Sequence, residues 1–263
     1  MVEPPMPSLI QFTLQLDEPA PDNPALGLHA LIYAWLDRAD PAVARAVHTS
    51  GAQPLSLHLA RRAGFGSVLH ADRRTVQGVL GVLDDTLTPL FEYAAAAGES
   101  LPVQQGDRLR GCVAGLRVQP LSWPAPTTLS VQGATLEFLT PVVLTGVPER
   151  PPVVRLYRGL LRRWAPFAPH PFPEDALMAA TRVEVVTADT RTVQIANPSS
   201  RQAPPMQGVT GQIQVVFTDP RSAPLMAALT AVAPISGLGA KTLYGFGAVE
   251  VHGVLRPQSG TGR

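Results

Sequence analysis

The order of the periodic segments constrains the fold more than any other feature of this chain. Before a proline-rich break at residues 122–128, segments with strand-like alternation and helix-like spacing follow in the order β-α-β-β-α-β, and after the break the same order begins again. That order is typical of the ferredoxin-like fold, in which two helices cover one antiparallel sheet. The sequence therefore predicts an α+β protein with two tandem ferredoxin-like (RRM-like) domains.

The proline-rich break also sets the predicted domain boundaries. It separates an N-terminal domain at residues 1–121 from a C-terminal domain at residues 129–256, with residues 122–128 as the linker. A Gly- and Ser-rich tail at residues 257–263 is expected to fray. The two halves share a pattern but no close sequence repeat.

Helix boundaries are predicted from capping residues. Asp40 followed by Pro41 indicates an N-cap and a first helical residue, and Gly51 offers a stop for that helix. Asp219 is predicted to cap a second helix over residues 220–232.

Composition excludes some classes of protein and leaves others open. A net charge of +1 neither requires nor excludes nucleic acid, so local clustering of charge must decide. Cys112 is the single cysteine, which excludes an intrachain disulfide and a Cys-rich zinc site. With no signal-peptide pattern and no apolar run near the roughly 20 residues of a membrane span, the sequence predicts a cytoplasmic protein without a membrane partner.

A glycine-rich stretch lies near the C-terminus and holds the only lysine of the chain, Lys241. Glycine permits a positive φ and a close approach of the backbone, so paired glycines favour a loop whose amides bind a phosphate. A plain Gly-rich turn before a final strand is the alternative. The two G-x-G pairs, separated by five residues, are Gly237 with Gly239 and Gly245 with Gly247.

This stretch fits neither common nucleotide motif. A dinucleotide fingerprint requires a third glycine where Thr242 stands, and a P-loop requires its lysine directly after a glycine, whereas Lys241 follows Ala240. An enzyme acting on a small phosphate compound is therefore a weak alternative.

Several segments together resemble the CRISPR-associated endoribonucleases that cut precursor repeat RNA, members of the repeat-associated mysterious protein (RAMP) superfamily. In the second half, the similar segments are the glycine-rich stretch (237–247), the strand before the last helix (208–215) and two earlier segments (136–141 and 157–164). In the first half, the similar segment is the first helical region (28–36).

The resemblance implies an activity and a partner. It implies metal-independent cleavage of CRISPR repeat RNA without a cofactor, leaving a 2′,3′-cyclic phosphate and a 5′-hydroxyl. Other members of the superfamily bind RNA without cutting the repeat, so a non-catalytic RNA-binding subunit of a CRISPR effector complex stays open as an alternative. Contacts with other effector subunits and a homodimer also stay open.

Three residues of the N-terminal half are the predicted catalytic groups. His48 ranks first, because it follows a predicted helix whose C-terminal dipole favours the protonated imidazole. Tyr33 resembles a family position that supports the histidine. His29 lies one turn before Tyr33 on the same helical face, competes with His48 for the catalytic role and ranks second. Some family members add a lysine shortly after the histidine, but residues 49–54 contain none. A surface histidine and a core tyrosine are the structural alternatives.

The other histidines, His58, His70, His170 and His252, have no partner at metal-ligand spacing, so no metal site is predicted and a structural or solvent-facing role is expected.

RNA contacts are predicted from clustered arginines. Arg155, Arg158 and Arg162 share one face of a predicted helix, where bidentate guanidiniums could follow a phosphate backbone. A solvated helix face is the alternative. Arg61 and Arg62 lie in a connection between two strands and could contact a repeat hairpin or only keep that loop soluble.

Overall fold

Two four-stranded antiparallel sheets organise the protein. The computed structural model describes residues 6–20, 24–58, 74–96, 111–122, 132–144, 153–168, 172, 175–197 and 202–255. The predicted linker beyond Ser122, the predicted tail, and Arg61, Arg62, His70 and His170 lie outside these ranges.

The first sheet has the strand order β2-β3-β1-β4, and each neighbouring pair is antiparallel. Its elements in chain order are β1 (Ser8–Leu16), α1 (Ala25–Ala39), α2 (Pro41–Thr49), β2 (Leu55–His58), β3 (Thr75–Val82), α3 (Thr88–Ala96) and β4 (Gly111–Pro120).

The second sheet repeats this topology, with the order β6-β7-β5-β8. Its elements are β5 (Gly133–Val143), α4 (Val153–Trp164), α5 (Ala176–Ala179), β6 (Val183–Ile195), β7 (Met206–Phe217), α6 (Ala223–Ser236) and β8 (Val249–Leu255). Both sheets therefore have the ferredoxin-like order, and the predicted fold class is confirmed.

The helix boundaries follow the predicted caps only in part. The Asp40 carboxylate accepts hydrogen bonds from the amides of Ala42 and Val43 at 2.8 and 3.1 Å, as an N-cap should. Gly51 does not end this helix, because Ser50 already leaves the helical conformation with ψ 134°. Asp219 does not cap α6, which begins at Ala223: its carboxylate instead accepts from the Arg221 amide and shapes the turn before the helix.

Strand β5 is bent in its second half. Its pairing with β7 changes register between Phe138 and Val142, a bulge that includes Pro141. The bulge turns the carbonyls of Pro141 and Val143 toward the glycine-rich stretch, where they accept hydrogen bonds from Gly247 and Ala240 at 3.0 and 2.9 Å. The irregular strand is thus one support of the loop that follows α6.

The two halves share their hydrophobic cores. Leu9, Val79 and Leu83 of the first half pack into the core of the second, and Leu243 of the second half packs into the core formed around Trp35. Removal of this apolar surface from water favours association of the halves, at roughly 25 cal/mol per Å². The folding of each half is therefore coupled to its contact with the other.

Polar contacts join the first sheet to the C-terminal end of α6. Ser56 Oγ donates to the carbonyl of Ile235, and His58 Nε2 lies 3.1 Å from the same oxygen. Both side chains are fully buried. His58 is therefore a structural residue, as expected.

No helix in the described ranges is long and apolar enough to cross a bilayer.

The contact between β3 and α6 is so close that one added methyl group, in Gly81→Ala, should disturb it. A Cβ at Gly81 would lie 1.9 Å from the carbonyl oxygen of Ile235, whereas a Cβ at Gly115 would meet nothing within 4 Å. We expect Gly81→Ala to lower the free energy of unfolding by about 1–3 kcal/mol through overpacking of this contact. Urea denaturation of both variants measures it, with Gly115→Ala as the matched control. Equal stability of the two variants would contradict a tight contact between the halves.

Candidate active site

The glycine loop, defined as residues 237–247, connects α6 to β8 and contacts α1 and β2 of the first half. All four glycines of its two G-x-G pairs have a φ between 69° and 83°, and Lys241 also has a positive φ, 60°. A non-glycine residue rarely adopts this conformation. The surrounding structure therefore determines the direction in which Lys241 leaves the backbone.

The glycines allow the loop to pack against its own chain. A Cβ at Gly239 would lie 2.5 Å from the carbonyl of Val143, and one at Gly247 would lie 1.9 Å from the carbonyl of Leu238. The Leu238 amide donates to the Gly247 carbonyl at 2.8 Å, which closes the base of the loop. The close backbone approach that these glycines permit therefore serves packing of the loop against its own chain.

This packing changes the expected mode of ligand contact. Gly237, Gly245 and Gly247 are buried, whereas Gly239 and Lys241 are half-buried. The paired glycines predicted a loop whose amides bind a phosphate, but the amides of Ala240 and Gly247 already donate to carbonyls of β5. A ligand would therefore meet the loop mainly at its outer turn around Lys241.

Four aromatic side chains form a continuous row beside this turn, named here the aromatic row: His48, Tyr33, His29 and Tyr244. The Tyr244 ring stacks on the His29 ring at a centroid distance of 4.0 Å and an angle of 17°. Edge-to-face contacts follow from His29 to Tyr33 at 5.0 Å and from Tyr33 to His48 at 5.1 Å. The structure thus brings all three predicted catalytic residues together and adds Tyr244 from the glycine loop.

Local sequence explains how these rings meet. His29 and Tyr33 are four residues apart in α1 and share one face, as their spacing predicted. His48 lies in the last turn of α2, beside that face. Tyr244 belongs to a short 3-10 turn after Lys241. Its position between the two G-x-G pairs was the only sign in the sequence that an aromatic group would lie at the loop.

Burial keeps the His29 imidazole neutral. Desolvation is the main cause that lowers the pKa of His29 from 6.5 to about 4; a hydrogen bond with the Leu243 backbone opposes the shift, and the nearby His48 and Lys241 add smaller contributions to it. Within the described residues, His29 Nδ1 is buried and has no hydrogen-bond partner. At neutral pH the imidazole is therefore in the unprotonated form that a general base requires.

The Tyr33 phenol stays protonated. Burial raises its pKa above 10, and a weaker opposing effect comes from Gln53. Gln53 Nε2 donates to the Tyr33 hydroxyl oxygen at 3.2 Å, so the phenol proton remains available for another acceptor. The sequence gives no sign of this role for Gln53, because its contact with α1 spans 20 residues and has no local pattern.

The predicted arginine stripe lies on the outer face of α4. Arg155 and Arg162 are exposed and Arg158 is half-buried, while Leu156 and Leu160 are buried on the opposite face. The helical spacing therefore leaves Arg155 and Arg162 on the solvent side of the helix, whereas Arg158 Nε is buried.

Arg163, beside this stripe, has a different environment that the sequence did not reveal. Its guanidinium donates to the carbonyls of Ser236, Gly237 and Gly239, at 3.2 Å for Gly237 and 2.8 Å for Gly239. It therefore binds the glycine loop from the side of α4.

His252 has partners that its sequence position did not suggest. Its Nε2 lies 2.8 Å from Glu137 Oε2 and 3.9 Å from Glu250 Oε2, because β5 and β8 pair. Ligand atoms of the three residues lie within 4.8 Å of one another. His252 is exposed, as expected, and its nearest partner, Glu137, lies 115 residues away in the sequence. The group is on the surface of the sheet, and the hydrogen-bond contact between His252 and Glu137 accounts for its geometry.

The depressed pKa of His29 gives stability a specific pH dependence. The unfolded chain protonates this histidine as pH falls below 6.5, whereas the folded protein does so only near pH 4. Stability linked to His29 is therefore complete above about pH 6.5 and is lost as pH falls toward 4. We expect urea denaturation to show that the free energy of unfolding falls less from pH 7 to pH 5 in His29→Gln than in the wild type. An equal loss in both proteins would contradict the neutral, desolvated imidazole.

A family model and solved structures match this chain. The model of the CRISPR-associated endoribonuclease Cas6 matches residues 136–249. The structure of a Cas6 (TTHB231) product complex shares 26% identity and a TM-score of 0.73, over 94% of this chain and 99% of that chain. Thermus thermophilus Cas6 (TTHB231) itself gives 24% identity and a TM-score of 0.65 over the same shares.

A further similar structure, a Cas6 (TTHA0078) product complex, shares 22% identity and a TM-score of 0.70, over 94% of this chain and 100% of that chain. Curated proteins gave no significant sequence match. The resemblance predicted from the motifs is thus confirmed: the chain is similar to the CRISPR-associated endoribonuclease Cas6 in sequence over residues 136–249 and in fold over nearly its whole length.

Proposed function

We propose that this protein is a metal-independent endoribonuclease that cuts CRISPR repeat RNA by attack of a ribose 2′-hydroxyl, leaving a 2′,3′-cyclic phosphate and a 5′-hydroxyl. One observation carries the proposal: an imidazole of the N-terminal half stacks directly on the glycine loop of the C-terminal half, at 4.0 Å. The similarity to Cas6 (TTHB231), solved as a product complex, supports the same activity.

The reaction requires a proton acceptor, a proton donor and a cation. The 2′-hydroxyl must lose its proton, the departing 5′-oxygen must gain one, and the pentavalent phosphorus carries extra negative charge. The aromatic row and Lys241 include groups able to fill all three roles. Neighbouring ring centroids in the row are 4.0–5.1 Å apart, and Lys241 Nζ lies 5.3 Å from the centroid of the Tyr244 ring.

His29 is the proposed acceptor. Its imidazole is neutral at neutral pH because burial lowers its pKa to about 4. A phosphate bound nearby favours the cationic imidazole and raises that pKa. RNA binding would therefore increase the basicity of His29 at the moment when a base is required.

His48 is the proposed donor to the 5′-oxygen. It is exposed in the last turn of α2, at the outer end of the aromatic row. The Tyr33 ring lies between the two imidazoles and keeps its proton, which suits it to orient the ribose by donating a hydrogen bond. Tyr33 then sets the separation of donor and acceptor.

Lys241 is the proposed source of positive charge. Residues 49–54 offer no lysine after His48, whereas Lys241 approaches the aromatic row from the opposite half of the protein. Its ammonium lies 5.3 Å from the Tyr244 ring centre, which favours a cation at this position. Lys241 would therefore stabilise the phosphorane in place of the missing lysine.

The arginine stripe is the proposed track for the RNA backbone. Arg155 and Arg162 are separated by about 10 Å along α4, since a helix rises ~1.5 Å per residue. The last turn of α4 reaches the glycine loop through Arg163. A strand bound along the helix would therefore run toward the end of α4 that contacts the glycine loop.

Cleavage of a repeat transcript in excess chelator is the direct test. We expect the wild type to cut it, and His48→Ala to bind the RNA but cut about 10²–10⁴-fold more slowly, the usual contribution of general acid–base groups. Single-turnover cleavage assays and mapping of product ends measure both. His252→Ala, a histidine variant outside the aromatic row, should cut at the wild-type rate.

The other outcomes of this assay are also informative. Wild-type protein that binds the transcript without cutting it would favour the alternative of a non-catalytic RNA-binding subunit. Cutting by His48→Ala at the wild-type rate, with loss of cutting in His29→Ala, would reassign the donor within the aromatic row.

The arginine stripe makes a separate prediction about salt. Loss of each phosphate contact should reduce the slope of log affinity against log salt by about 0.7 for a single strand. We therefore expect the double variant Arg155→Gln/Arg162→Gln to bind repeat RNA more weakly at low salt and with a reduced slope. Filter binding over a salt series measures it, with exposed Arg221→Gln as the control. An unchanged slope would show that α4 does not contact the RNA backbone.

A further inference from the structure

Arg163 is a half-buried cation. Within the part of the chain that the structure describes, its guanidinium donates hydrogen bonds to backbone carbonyls. Nη1 donates to the carbonyls of Ser236 and Gly237, and Nη2 donates to the carbonyl of Gly239 at 2.8 Å. Its neighbour Arg162 is exposed to solvent. Within one helical turn, the chain therefore directs one guanidinium outward and one into the protein.

The energetics of this arrangement are specific to arginine. Desolvation lowers the pKa of Arg163 to about 10, which still leaves it cationic at neutral pH. Its acceptors lie at the C-terminal end of α6, where the helix dipole is negative and the last carbonyls lack helical partners. A planar guanidinium can satisfy several such carbonyls at once, whereas an ammonium lacks that fixed geometry.

The segment bound by Arg163 leads directly to the proposed cation of the site. Gly239 is two residues before Lys241, whose φ of 60° must be maintained by its surroundings. On its other side the loop is fixed by the hydrogen bond from Ala240 to Val143 of β5, at 2.9 Å. Arg163 and β5 therefore support the two sides of the same turn.

We propose that Arg163 is a positioning residue that fixes the glycine loop in the conformation in which Lys241 and Tyr244 face His29. The cleavage part of this inference rests on the proposed function, whereas the positioning part concerns contacts within the protein. Arg163 acts through the loop carbonyls and touches neither the RNA nor the reacting atoms.

Two other roles for Arg163 predict different results. A residue that only stabilises α6 would change the unfolding free energy and leave the loop and cleavage unchanged. A residue that binds phosphate would change the salt dependence of RNA binding. Positioning predicts a changed environment of His29, a lower rate constant for cleavage and an unchanged salt slope.

The experiment compares Arg163→Lys and Arg163→Met with the matched exposed variants Arg221→Lys and Arg221→Met in the full chain. The first measurement follows the His29 ring protons by NMR during a pH titration without RNA. In the wild type and the Arg221 variants, His29 should titrate near pH 4, and in the Arg163 variants its midpoint should move toward 6.5, because a displaced loop exposes the imidazole.

The second measurement is single-turnover cleavage of repeat RNA with the salt dependence of binding. We expect both Arg163 variants to cut about 10–100-fold more slowly at saturating RNA, since a displacement of about 1 Å can cost 10²-fold. The salt slope should equal that of the wild type. Arg163→Lys retains the charge, so a defect in that variant isolates the geometry of the guanidinium.

The outcomes separate this inference from the proposed function. A wild-type His29 midpoint in Arg163→Lys and Arg163→Met would overturn the positioning role. A shifted midpoint with no RNA cleavage even by the wild type would support positioning and reject the proposed nuclease. A reduced salt slope would instead make Arg163 an RNA-binding residue. If Arg163→Met does not fold, Arg163→Lys decides.

Discussion

The stacking of Tyr244 on His29 is the contact on which the site depends. It joins a loop that follows the last helix to the first helix of the chain, so neither half contains the site alone. The loop can present Tyr244 and Lys241 there because it is closed at its base by its own hydrogen bonds and braced by β5 and Arg163. A flexible glycine loop would lose conformational entropy on binding, whereas this one is largely ordered beforehand.

The same contact also belongs to the hydrophobic core. Leu243, next to Tyr244, is buried among N-terminal core residues around Trp35, while Ser56 and His58 bind the end of α6. Apolar burial between the halves therefore fixes the distance between the glycine loop and α1. Stability and the geometry of the aromatic row are coupled, and changes at the contact between halves should affect both.

The features that could be predicted from the sequence are those that depend on residues only a few positions apart. The ferredoxin-like order, the Asp40 cap and the shared face of His29 and Tyr33 follow from spacing of a few residues, and the structure has all of them. The Arg163 contacts, the Gln53 contact and the His252–Glu137 pair join residues 20 to 115 positions apart. Such contacts depend on strand pairing and on docking of the halves, which no sequence period encodes.

The position of Lys241 connects the electrostatics of the site to the order of events on RNA binding. Burial is the main cause that lowers the pKa of His29 and the charge of Lys241 adds a smaller contribution, so the free protein holds a neutral acceptor beside a cation. A phosphate placed at Lys241 would offset the charge that disfavours the imidazolium, and the basicity of His29 would rise only when substrate is present. The proposed base and its activation thus come from opposite halves of the protein, which gives a physical reason for the lysine to lie on the glycine loop and not after His48.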